Sequence, residues 1–173
     1  NMYFNSSQGL HAYVHLYPQT VSDATIRDEI GKGCSFANYT AHGSPSGWAS
    51  PSFSVSDIPA MNNSNKYPVM IGNACLTNKF DENECFGEAL IRVPNKGSVA
   101  YIGGSNSTYW DEDFYWSVGF RSTITANPTY DSSGLGMYDR LWHFSLPYSE
   151  WFMSVSQMIL AGNLAVLQGS SMI

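Results

Sequence analysis

Apolar positions along this chain fall in short runs separated by Gly, Pro, Ser and Asn, and runs without period alternate with runs of helical period. Ala12-Tyr13-Val14-His15-Leu16 has the content of a strand, and Val21 to Gly31 that of a helix capped at Ser22 or Asp23 and stopped by glycine. Phe36-Ala37-Asn38-Tyr39-Thr40-Ala41 and Pro68-Val69-Met70-Ile71-Gly72-Asn73 are compact, largely apolar runs suited to the buried middle of a parallel sheet. Between them the pattern predicts a Gly/Ser/Pro loop from Ser44 to Pro51, carrying Trp48 and long enough to border a binding cleft, then a short helix near Ser56 to Met61. Glu84 to Val93 is helical in period with Phe86, Leu90 and Ile91 inward, and Ser98 to Gly103 is the next strand. A helix begins after Tyr109, an irregular stretch runs from Asn127 to Pro147, and Ser149 to Leu167 closes as an apolar helix with Trp151, Val155, Ile159 and Leu160 on its buried stripe. This βαβ alternation implies an α/β fold, a mainly parallel sheet with helices on both faces.

Composition narrows the function classes. A net charge of −6 with only 8 Lys and Arg argues against nucleic acid, whose phosphates need a basic face. No run of about 18 apolar residues exists, so no membrane span is expected. Few charges, many aromatics and a surface rich in Ser, Asn, Tyr and Gly suit a protein that is secreted or held at a bacterial cell surface. Cys34, Cys75 and Cys85 make an odd count, and no bridge between Cys34 and Cys85 is expected. Asn1 opens mid-segment, and the chain reads as a piece of a longer protein. His11 and His15 share a face of the expected strand and are not read as a metal pair; the Asn-x-Ser/Thr tripeptides at Asn5, Asn38, Asn62 and Asn106 carry no assigned function.

The candidate chemistry sits where two strands end. Ligand crevices of open α/β sheets lie at the carboxyl ends of strands, and His42 and Cys75 follow the two buried runs there. Taken singly, a free Cys is at home in a core and a His after a strand is usually hydrogen-bonded into its surroundings. As a pair they place a base beside a thiol, which is how a cysteine is converted to its attacking thiolate. Gly43 has no side chain to keep its N–H from a substrate carbonyl, so with the Cys75 N–H it would form an oxyanion hole.

Tyr39-Thr40-Ala41-His42-Gly43-Ser44, Ile71-Gly72-Asn73-Ala74-Cys75-Leu76-Thr77, Cys85-Phe86-Gly87-Glu88, Ala100-Tyr101-Ile102-Gly103, Tyr109 through Gly119 and Ala161-Gly162-Asn163-Leu164-Ala165 resemble the gingipains, bacterial cysteine peptidases of caspase-like fold, and within them the lysine-specific branch. The resemblance covers nearly everything from Val21 onward. It implies a caspase-like three-layer sandwich, with residues 1–173 forming the second, His/Cys-bearing subdomain of the catalytic unit and the first subdomain lying elsewhere in the same precursor. It implies His42 as general base and Cys75 as nucleophile. The acid that orients the histidine in the family lies farther upstream than this chain reaches.

For specificity, the resemblance implies that Asp113 and Thr40 bind a substrate lysine ammonium, with Trp110 beside the aliphatic stem and Asn73 among the substrate-binding residues. An ammonium is a compact three-donor cation that suits a carboxylate with hydroxyl and carbonyl acceptors. Asp111, Glu112 and Asp113 also read as a solvated loop or a helix's first turn, and Trp110 as a core aromatic. No cofactor is expected for catalysis. The family binds structural calcium, for which the Phe80 carbonyl and Glu88 are candidate oxygen donors; an ordinary acidic helix start is the other reading. The expected activity is a secreted endopeptidase acting on proteins or peptides after lysine. Its rivals are a relative with arginine or mixed preference, a sortase-like transpeptidase, and a non-catalytic binding or adhesion module.

Overall fold

The computed structural model describes residues 6, 9–125, 135–138, 147, 149 and 153–170. They belong to two compact units, one of Tyr13–Thr108 and one of Asn1–Ala12 with Tyr109–Ile173.

In the first unit α1 (Asp23–Lys32) begins where Ser22 Oγ accepts the Thr25 N–H at 3.3 Å, and it ends at Gly33, whose φ of 100° is open to glycine. Asp23 with Arg27 and Asp28 with Lys32 line its outer face as i,i+4 pairs, while Ile26 and Ile30 are buried. The chain continues through β1 (Phe36–Thr40), β2 (Gly43–Ser44), β3 (Gly47–Ala49), β4 (Ser52–Ser54), a 3₁₀ turn at Ile58–Ala60, β5 (Val69–Asn73), α2 (Phe86–Arg92) and β6 (Ala100–Gly103). β1, β5 and β6 form a parallel sheet in the order β1-β5-β6, in register Thr40 to Asn73 and Gly72 to Gly103. The central β5 is the most buried strand, and Met70 and Ile71 are fully buried. One core cluster joins Tyr39, Met70, Trp48, Phe53, Phe86 and Leu90. Within it Phe86 meets Trp48, Phe53 and Tyr101 edge-on at 5.5 to 5.7 Å between ring centroids.

Four sequence expectations are corrected here. Residues 11–16 form no strand: Tyr13, Val14 and Leu16 are exposed, and His15 Nε2 is tied to Glu29 Oε2 of α1 at 2.8 Å. Strand-forming residues alone do not make a strand without a neighbouring ladder. Ser44 to Pro51 is not an open loop, because β2, β3 and β4 form an antiparallel meander whose segments are too short to show a period of two. Its Trp48 is buried in the core. The helix expected near Ser56 is only the 3₁₀ turn. In α2 the buried face is Phe86, Ala89 and Leu90, and Ile91 is 54% exposed, because the helix starts only at Phe86 and its i, i+3, i+4 stripe leaves position 91 outside.

In the second unit α3 (Trp110–Val118) packs on α4 (Val155–Ser170). The expected stripe on the closing helix is also corrected. Leu160 is 52% exposed, Val155 and Ile159 are half-buried, Trp151 lies outside the described residues, and the buried face is Met158, Ala161, Gly162, Ala165 and Gly169. Aromatics of α3 select these small residues: a Cβ at Gly162 would meet Trp116 Nε1 at 2.5 Å, and one at Gly169 would meet Tyr115 at 2.9 Å. Trp116 Nε1 donates to Asn163 Oδ1 at 3.1 Å. Most of the irregular stretch from Asn127 to Pro147 lies outside the described residues.

Candidate active site

The pairing of Thr40 with Asn73 fixes the site. His42 and Cys75 each lie two residues beyond that last pair, on adjacent parallel strands, so the chain delivers both to the same sheet end. The two loops touch directly. A Cβ at Gly43 would meet the Cys75 carbonyl oxygen at 2.8 Å, Ala74 Cβ at 2.9 Å and Thr77 Cγ2 at 3.0 Å, so only glycine lets the backbone after His42 lie this close to the backbone of Cys75.

Each loop is held independently. The Tyr39 hydroxyl donates to the His42 carbonyl at 2.7 Å and accepts the N–H groups of Ala49 and Ser50, both at 3.1 Å. The Ala49 N–H also donates to the His42 carbonyl at 3.0 Å. The exposed imidazole thus rises from a backbone fixed on its buried side.

After Cys75 the chain turns through Leu76, a non-glycine residue in the left-handed region at φ 62°. Its N–H donates to the Asn106 carbonyl at 3.0 Å, and the Asn78 N–H donates to the Gly104 carbonyl at 2.9 Å. The segment after β6 therefore straps the turn down. It also holds the sulfur: the Thr108 N–H donates to Cys75 Sγ at 3.3 Å, the thiol donates to the Thr108 carbonyl at 3.5 Å, and Thr108 Oγ1 stands 3.7 Å away.

Beneath both loops Trp48 Nε1 donates to the Tyr101 hydroxyl at 3.2 Å. A Cβ at Gly72 would overlap that hydroxyl. Burial pushes the Tyr101 phenol up to about 12, partly offset by Thr77 and Trp48 beside it, so it stays protonated.

All three cysteines are free. Burial pushes the Cys34 thiol up, with the Glu29 charge adding to it, and burial also pushes up Cys85, so neither is favoured as a thiolate. Cys85 is instead the N-cap of α2, and its N–H donates to Glu88 Oε2 at 3.0 Å, a bond that lowers the Glu88 carboxyl below its ordinary value.

Of the predicted substrate-binding residues, Thr40 is exposed and Asn73 buried at the paired ends of β1 and β5. Trp110 and Asp113 belong to the other unit, in the first turn of α3. Of the three acids there Asp113 alone is buried, at 9% exposure, so it is not part of a solvated loop. Trp110 is 59% exposed and is not a core aromatic. Phe80 is exposed, and Lys79 pairs with Asp81 and Glu82. No three His, Cys, Asp or Glu side chains converge as a metal site among the described residues. Sequence reasoning missed Tyr39, Tyr101 and Thr108. Gly72, which marks a close approach to the Tyr101 hydroxyl, was the available signal for Tyr101, and nothing in the sequence pointed to Tyr39 or Thr108.

The family model described as peptidase family C25 matches residues 2–172. The chain belongs to peptidase family C25. Lys-gingipain HG66 of Porphyromonas gingivalis is 40% identical over 164 residues, 94% of this C25 chain and 9% of that protein. Gingipain R2 of the same species is 33% identical over 107 residues, 59% of this chain and 14% of that protein. A solved structure described as "Structure of Protease" superposes with a TM-score of 0.77 at 40% identity, over 84% of this chain and 31% of the other. The crystal structure of the Arg-specific cysteine proteinase gingipain R superposes with a TM-score of 0.67 at 24% identity, over 86% of this chain and 31% of the other, and supports the caspase-like α/β fold. The C25 chain thus spans about a tenth of the curated relatives' length.

Proposed function

We propose that this C25 chain carries the nucleophile and base of a secreted cysteine endopeptidase that cleaves after lysine. The observation that carries the reading is the strand register that brings His42 and Cys75 to equivalent positions, with Gly43 against the Cys75 backbone. His42 takes the thiol proton, Cys75 Sγ attacks the scissile carbonyl, and the Gly43 and Cys75 N–H groups receive the developing oxyanion. Collapse breaks the C–N bond as His42 passes its proton to the leaving amine. Water, deprotonated by His42, then hydrolyses the thioester and frees the enzyme.

Lysine preference is supported by similarity to a protein named Lys-gingipain over 94% of the chain, against 59% for Gingipain R2, and by the buried carboxylate of Asp113. In this reading the Asp113 carboxylate supplies the counter-charge for the ammonium. The acid that orients His42, and the subdomain bearing it, are assigned to other parts of the precursor. The Phe80 carbonyl and Glu88 are assigned as donors to a structural calcium ion. They make two of the roughly six to eight oxygens such an ion takes, so backbone and water would complete the set. No helix among the described residues is long and apolar enough to cross a membrane. The test is His42→Ala in the intact protein: acylation should fall by about two to four orders of magnitude, as usual for a lost general base. Unchanged turnover would remove His42 from the mechanism.

A further inference from the structure

We infer that Tyr39 is a positioning residue for catalysis, whose phenol sets the orientation of His42; this rests on the assignment of His42 as base. Tyr39 lies three residues before the histidine, yet its side chain points the other way, into the core, at 6% exposure. There its ring stacks on Trp48 with centroids 4.7 Å apart and planes 8° from parallel. That stack leaves the ring little freedom and aims the hydroxyl at one place.

The hydroxyl makes three hydrogen bonds there, donating to the carbonyl of His42 and accepting from the N–H groups of Ala49 and Ser50. A hydroxyl has one proton and two lone pairs, so Tyr39 is fully used. Beyond the first β2–β3 pair of Gly43 and Trp48, the Ala49 N–H reaches the His42 carbonyl at 3.0 Å, and the phenol adds a second donor to that carbonyl and ties in Ser50. The phenol closes the mouth of the meander beyond that first pair. It thereby fixes the peptide that carries the His42 side chain.

The consequence is geometric. With the phenol's donated bond gone, the His42 carbonyl loses one of the two donors that hold it and is left to the Ala49 N–H, so the peptide is less tightly fixed, and a shift of about 1 Å at a catalytic group costs on the order of 100-fold in rate. Tyr39 touches neither substrate nor thiol, so its loss should leave substrate binding nearly intact. A residue that only stabilised the fold would not produce that split.

The experiment compares Tyr39→Phe, which keeps the ring and the stack, with the parent in the intact protein. We expect kcat to fall about 10- to 100-fold with KM within about threefold. The rate of Cys75 alkylation by iodoacetamide should fall as well. In a His42→Ala background the same substitution should change alkylation by less than about twofold, because the group it positions is absent. Trp48→Phe, which loosens the same stack without removing the phenol, should lower kcat by less than Tyr39→Phe does. Unchanged kcat in Tyr39→Phe, equal losses with and without His42, or a Trp48→Phe loss as large as that of Tyr39→Phe would each overturn the inference. Full activity of His42→Ala by itself would instead overturn the base assignment, so the two failures are distinguishable.

Discussion

Replacing Gly43 by alanine adds one methyl group between the two loops of the candidate site, and the structure sets its cost. The new Cβ would stand 2.8 Å from the Cys75 carbonyl oxygen, 2.9 Å from Ala74 Cβ and 3.0 Å from Thr77 Cγ2, where ordinary contacts need about 3.4 Å or more. The first of these is backbone and the other two belong to buried residues, so no flexible side-chain end absorbs the clash. Two effects oppose each other. Gly43 does not occupy the left-handed region, so alanine restricts the unfolded chain and returns about 0.4–1 kcal/mol. Overpacking a tight site costs about 1–3 kcal/mol, so net destabilisation of about 1–2 kcal/mol is expected. The functional loss should be larger than that. The methyl separates the backbone after His42 from that of Cys75 by several tenths of an ångström, which displaces one oxyanion donor as well as the base. Loss of a single such donor is worth about 100- to 1,000-fold in kcat. Urea unfolding gives the stability and steady-state kinetics on a lysyl peptide gives the rate. An alanine variant as stable as the parent with unchanged kcat/KM would refute the close approach and the oxyanion role together.

Cys75→Ala should abolish hydrolysis with the fold intact by circular dichroism, whereas Cys34→Ala and Cys85→Ala should keep most activity; turnover of Cys75→Ala within tenfold of the parent would exclude it as nucleophile. Asp113→Asn should cost lysyl substrates about 3–5 kcal/mol, or two to four decades in kcat/KM, with little loss for substrates uncharged at that position; equal losses for both would move the pocket elsewhere. Glu88 has a lowered carboxyl through its bond to the Cys85 N–H, so its contribution is fully present above its ordinary value of 4.5 and is lost as pH falls through the lower folded value. Glu88→Gln should therefore flatten the acid limb of a Tm-against-pH curve below about pH 4.5, and an unaltered limb would contradict this capping role.

Legibility in the sequence followed the range of the interaction. The strands ending near Thr40 and Asn73 were readable because their burial depends on local runs of apolar residues, and those runs placed His42 and Cys75 at one sheet end. The meander of β2 to β4 was not readable, because its pieces of two or three residues are held by pairing and by the packing of Trp48 and Phe53, which local period does not report. The same holds for the buried face of α4, where small residues face inward because Trp116 and Tyr115 need the room. Within the site, the reactive residues announced themselves by type. Tyr39, Tyr101 and Thr108 did not, since an aromatic or a threonine has no distinctive chemistry until its hydrogen-bond partners are known.

The central claim, that Cys75 is a nucleophile activated by His42 and addressed by a lysyl side chain, is tested most directly by covalent labelling of the intact protein. A lysyl acyloxymethyl ketone, located by peptide mass spectrometry, should modify Cys75 alone, at least about tenfold faster than its arginyl counterpart, and about 100-fold or more slowly in His42→Ala. Labelling of Cys34 or Cys85 in place of Cys75, or a Cys75 labelling rate indifferent to His42, would contradict the account.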